Sequence, residues 1–147
     1  MRQWLWLYPT VEIVHILGVA LLFGSIVVVD VRLLGFGKKL NVKDLARHVL
    51  PWTAASFVLI VPSGLLMFIA HASDFISSPI FVTKMCLILA GGANAALFHA
   101  TVFRSADVWD APEMRGLRTP PSVRAFGATS LAIWIAVIAC GRLLAYF

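Results

Sequence analysis

The chain has 147 residues, of which 61% are hydrophobic and only 13% charged, and its mean hydropathy is +0.91. Such a composition excludes an ordinary soluble domain, and the length leaves room for four membrane spans of ~20–25 residues without an added soluble catalytic module. The net charge of +5 does not point to nucleic acid, because the basic residues lie at span ends rather than in one soluble patch.

Trp4, Trp6 and Tyr8 precede an apolar stretch that is longer than the core of a signal peptide. No small-residue cleavage site follows it, so the segment reads as a retained span. The first span covers roughly 9–35, with Pro9 suited to a first helical turn and Phe36, Gly37, Lys38 and Lys39 ending it. The second covers roughly 48–71, from His48 to His71, with Pro51 near its start and a kink expected at Pro62. Residues 72–78 form a short polar connection. The third span covers roughly 79–103 and the fourth roughly 121–146, separated by a mixed-charge loop rich in proline. Cys86 and Cys140 both fall in apolar segments and read as small buried residues, not as a disulfide.

Orientation follows from the lysines and arginines. Arg32, Lys38, Lys39, Lys43 and Arg47 border the first connection, and Arg104, Arg115, Arg118 and Arg124 the third. Only Arg2, Lys84 and Arg142 lie towards the other face. Both termini are therefore expected on the exterior or periplasmic side, with an outer belt of Trp4, Trp6, Tyr8, Tyr146 and Phe147, and Trp52 at the inner interface. The expected fold is a single all-α domain, residues 1–147: an integral membrane four-helix bundle in a bacterial inner membrane.

Only four histidines occur, and each lies in or at the end of a span: His15, His48, His71 and His99. Their depths suggest an outer pair, His15 with His71, and an inner pair, His48 with His99. Neutral imidazole is a good iron ligand, and two imidazoles facing each other across a bundle make an axial haem site. His48 and His71 are ~34 Å apart along one helix, so no single haem uses both, and they are rotated ~140° from each other. The expectation is one or two b-type haems. Gly18, Leu22 and Ser25 form a stripe beside His15 that leaves room for a macrocycle, and Gly91-Gly92 is a place for close approach. Arg142 at the outer end, and Arg47 or Arg104 at the inner end, are the candidate partners of haem propionates. Histidines at helix ends are also common as plain interfacial residues. His15 and His99 lie deeper, where an ionisable side chain is a functional candidate by default. Glu12 shares a face with His15, Lys84 either snorkels or holds an anionic group, and Asn94 is placed for an interhelical hydrogen bond. Asp30 and Arg32 are expected to form ion pairs with neighbouring helices.

The string PTVEIVHILGVALLFGSIVVVDVRLLG, with LPW, NAALFH and the closing GRLLAY, resembles an uncharacterised bacterial family of small four-helix integral membrane proteins. More distantly, the single histidine of the first span and the third-span pair Lys84 and His99 are similar to two other groups. These are the haem-containing four-helix protoporphyrinogen oxidase and the membrane domain of copper resistance protein D. The resemblance to the oxidase implies a haem ligand at His15. Three functions remain open from sequence. One is an electron-transferring b-type cytochrome fed by a quinol or a redox partner protein. The others are a protoporphyrinogen oxidase-like haem enzyme and a cofactor-free metal or proton transport or accessory protein. The expected partners are the bilayer and, in addition, a second copy of the chain as a homo-oligomer.

Overall fold

The computed structural model describes residues 2–37, 39–113 and 119–146, with the backbone alone at 2–4. Lys38, Arg115, Arg118, Phe147 and the side chains of Arg2 and Trp4 lie outside the described residues. The elements are α1 (Arg2–Leu33), α2 (Val42–Ala70), α3 (Ala72–Ile76), α4 (Pro79–Ala100), a 3-10 turn (Phe103–Ser105), α5 (Ala106–Trp109) and α6 (Pro121–Leu143). Helices α1, α2, α4 with its short continuation, and α6 are each long and apolar enough to cross a membrane. Four crossings bring both ends of the chain to one face, here the terminal face. The α1–α2 and α4–α6 connections share the opposite one, the loop face.

Helix boundaries differ from the sequence expectation for local reasons. Helix α1 begins at Arg2, with Pro9 inside it. A proline in the third turn removes the backbone bond to the Leu5 carbonyl, a loss that membrane helices tolerate. Thr10 Oγ1 also donates to the Trp6 carbonyl at 2.7 Å. Helix α2 begins at Val42, six residues before His48, because the Asn41 side chain caps it. Its Oδ1 accepts from Lys43 N at 2.9 Å and Asp44 N at 3.2 Å, and Asp44 adds an acidic group to the first turn. The helix then runs unbroken through Pro51 and Pro62. Residues 72–76, expected as loop, make the short helix α3. At the far ends, α4 stops at Ala100 and tightens into the 3-10 turn, and α6 stops at Leu143.

Helix α1 packs along α2 on one side and along α6 on the other, and α6 packs along α4. Association of this kind in lipid rests on close backbone approach at small residues, and three glycines carry it. A Cβ at Gly18 would stand 2.8 Å from Ile60 Cγ1 and 3.0 Å from Leu59 Cβ. One at Gly127 would stand 3.0 Å from both the Asp30 carbonyl oxygen and Leu33 Cβ, and one at Gly91 would be 3.3 Å from Ile133 and the Trp134 ring. Gly18, Leu22 and Ser25 are all buried. At Gly18 the space is filled by α2, not left open for a macrocycle, which corrects the reading of that stripe.

The tightest packing lies at the loop face. Leu33, Val42, Phe98 and Val123 form a buried cluster, surrounded by Val29, Val102, Phe103, Trp109 and Phe126. A buried polar clasp closes over it. Arg32 Nη2 donates to Asp110 Oδ1 at 2.5 Å, Arg32 Nε donates to the Leu40 carbonyl at 2.8 Å, and Val42 N donates to Asp110 Oδ2 at 2.7 Å. Lys43 and Asp107 add an outer ion pair at 2.7 Å. Arg32 thus makes the expected ion pair, whereas Asp30 makes none among the described residues. At the terminal face, the rings of Phe68, Phe75 and Phe81 stack at 5.3–6.4 Å and tie α2, α3 and α4 together.

Candidate functional site

His15 sits where α1 meets the Pro62-Ser63-Gly64 stretch of α2. Its Nδ1 is 3.0 Å from Ser63 Oγ, and a Cβ at Gly64 would be 3.1 Å from the imidazole Cε1. Ser63 is buried, and its hydroxyl hydrogen is directed at its own helix, towards the carbonyls of Leu59 and Ile60. With that hydrogen committed, Ser63 Oγ can only accept from the imidazole. This arrangement favours the tautomer with the proton on Nδ1, which leaves the Nε2 lone pair available. A hydrogen bond of this kind fixes the ring and the tautomer of a metal-binding histidine.

Lys84 reaches the same level from α4. It lies across the α4–α6 seam, 3.4 Å from where a Gly141 Cβ would stand, and its ammonium is within electrostatic range of His15. A cation and an imidazole with a free nitrogen thus share the terminal half of the bundle. Glu12 is exposed and makes no hydrogen bond to His15 among the described contacts.

The other histidines are placed differently. His71 caps α2 at the terminal face, with its ring 5.2 Å from Tyr8 and 6.3 Å from Phe75. Tyr8 is opposite His71, and Gly64 is opposite His15. Each helix therefore separates its two positions by seven residues, which puts the two imidazoles ~10 Å apart in height. Two axial nitrogens on one metal stand only ~4 Å apart, twice a metal–imidazole bond. The structure does not bring His15 and His71 to one axial pair. His48 and His99 are both exposed at the loop end. His48 Nδ1 lies 3.3 Å from the Asp44 carbonyl oxygen and His99 Nδ1 2.9 Å from that of Ala95, one turn back on their own helices. The His99 ring rests on Phe103 at 4.9 Å, and no ring contact or hydrogen bond joins it to His48 among the described residues. No group of three or more histidine, cysteine or acidic side chains converges as a metal cluster among the described residues.

The arginines assigned to propionates are all exposed. Arg142 donates to the Tyr146 hydroxyl at 2.9 Å and lies 5.0 Å over that ring, while Arg47 and Arg104 face outwards at the loop end. Among the described residues, Lys84 is the cation whose charge is felt at His15. Ser63 was missed from sequence, although a serine and a glycine directly after a mid-span proline are a legible signal of something seated against that helix. Asn94 makes its interhelical bond, Nδ2 donating to the Phe126 carbonyl at 3.3 Å. Trp134 packs on Gly91, as a core residue does.

Taken together, the helices define a multi-pass, all-helical membrane protein built from four apolar spans. The chain belongs, over residues 6–147, to a family described as a family of unknown function, DUF6644. No curated protein and no solved structure matches it.

Proposed function

We propose that the protein is a membrane-embedded b-type haem protein that transfers electrons, with its haem held through His15 in the terminal half of the bundle. The observation that carries this reading is the His15–Ser63 hydrogen bond, which leaves an unprotonated Nε2 inside an apolar bundle within electrostatic range of the Lys84 ammonium. Haem iron supplies one-electron chemistry when bound. The chain's own residues do the rest. His15 offers the ligand nitrogen, Ser63 holds its tautomer, and Lys84 pairs with a propionate through a charge-assisted hydrogen bond. A lipid-soluble quinol suits a site enclosed by membrane helices as the electron donor.

This reading places one haem on the terminal side. It leaves His48 and His99 as a loop-side pair whose occupancy is decided by counting haem. It also keeps both termini exterior and both basic loops cytoplasmic, in a bacterial inner membrane, on the nine-to-three division of lysines and arginines. The convergence of a single histidine and a single lysine favours a second reading as well, porphyrinogen oxidation at one haem.

A pyridine haemochrome assay on purified protein, with haem counted per chain, tests the proposal. About one haem per chain is expected, lost in His15→Ala and retained in His48→Ala. Ser63→Ala keeps the haem but changes its reduced spectrum. A colourless protein, or haem content unchanged in His15→Ala, overturns it. Turnover of protoporphyrinogen by the one-haem protein would select the second reading.

A further inference from the structure

Asp30 is an acidic residue on a membrane-spanning helix, only 5% exposed, and its Oδ2 has no hydrogen-bond partner among the described residues. Helix α6 seals it in. Gly127 packs against its backbone oxygen, and Ser130, one turn further along, lies within hydrogen-bonding range of its carboxyl. The cation nearest in sequence, Arg32, points elsewhere and is committed to Asp110 and the Leu40 carbonyl. An ionised carboxylate in such a place would carry a full charge with neither counter-ion nor filled lone pairs, one of the costliest states a buried group can adopt. Each such orphaned atom in a folded protein requires an explanation, and an intramembrane carboxyl is a functional candidate by default.

We propose that Asp30 is a proton-binding site. An O–H bond forms at Oδ2 with a proton taken from water at the loop face, and the proton returns there when the bond breaks. The neutral acid removes the uncompensated charge, and Ser130 donates to the remaining carboxyl oxygen. A proton fits better than a metal ion, because among the described residues Ser130 is the one side chain beside the carboxyl and a hard metal cation needs about six oxygen ligands. Exchange is feasible because α1 ends at Leu33, three residues and ~4.5 Å along the axis from Asp30. The site shares no residue with His15, Ser63 and Lys84, and it does not depend on a bound haem.

Infrared spectra of the purified full chain in lipid nanodiscs, before and after transfer to D2O, test this. The expected signature is the carbonyl stretch of an un-ionised carboxylic acid, shifted downwards in D2O and missing from Asp30→Asn. Ser130→Ala should move the band upwards, because the carbonyl loses its donor. It also serves as the deciding variant if Asp30→Asn fails to fold. Absence of an acid band in the wild-type protein overturns the proposal, as does a band that survives Asp30→Asn or that Ser130→Ala leaves in place. A band that does not shift in D2O marks a sealed proton and overturns exchange with loop-face water.

Discussion

Replacing Asp110 with alanine should be one of the most destabilising single changes available in this chain. Asp110 and Arg32 have side chains only 4% exposed, and Asp110 Oδ2 is also the acceptor for Val42 N. Removing one partner from a buried ion pair costs about 3–5 kcal/mol, because the other charge is left stranded. Losing the acceptor for a buried backbone N–H adds about 1–3 kcal/mol. The clasp lies at the loop face, where relaxation can bring water to Arg32, so the lower part of the combined range of about 4–8 kcal/mol applies: about 4–5 kcal/mol. The neighbouring pair provides the control. Asp107 is bonded to Lys43 at a similar distance, but its side chain is 76% exposed, so Asp107→Ala should cost about 0.2–1 kcal/mol. Reversible unfolding by sodium dodecyl sulfate in mixed micelles, followed by circular dichroism, measures both. If the two alanine variants unfold within about 1 kcal/mol of each other, burial is not what gives the clasp its strength, and the argument fails.

Glycines at helix contacts should separate by available space. Gly18→Ala and Gly127→Ala should destabilise by about 1–3 kcal/mol in the same micelle assay, because their Cβ atoms would meet neighbours at 2.8–3.0 Å. Gly92→Ala, with nothing within 4 Å, should be neutral or stabilising by up to about 1 kcal/mol. Phe75→Ala should loosen α3 by about 1–3 kcal/mol, since it removes two ring stacks as well as buried area, and faster proteolysis at residues 72–78 would report it. A reporter fused after Phe147 should be active only on the exterior side. Activity in the cytoplasm would reverse every depth assigned from the basic residues.

The four spans were legible because ~20 apolar residues in a row leave few alternatives, and because backbone groups in lipid must be satisfied within the segment. Helix starts were less legible. Pro9 reads as a boundary on local grounds, yet the apolar residues before it continue the helix. The Asn41 cap is hard to see in sequence because the lysines and arginines around it dominate the first connection. The site was partly legible. His15 stands out as an ionisable residue deep in a span, and its Ser63 partner emerges only once α1 and α2 are laid side by side. Pairing His15 with His71 used depth alone. Depth from span ends cannot resolve a two-turn offset, which depends on helix register and on a span that starts seven residues earlier than expected. The isolation of Asp30 was also hidden, because the sequence shows an acidic residue beside a basic one, Arg32, and only the fold shows that Arg32 turns to Asp110.

The packing order also bears on how the chain is assembled. The helices occupy the sequence α2, α1, α6, α4 across the molecule, and among the described residues α2 and α4 meet through ring contacts at one end without packing along each other. The first and last spans made are therefore the inner ones. An α1–α2 hairpin can close early in synthesis, but its inner seam stays unmatched until α6 emerges more than fifty residues later. The molecule is thus two hairpins joined through the α3 connection, with Gly127 against Asp30 as the final docking point. Severed between α3 and α4 and co-expressed as two pieces, it should find its own partner again in the bilayer.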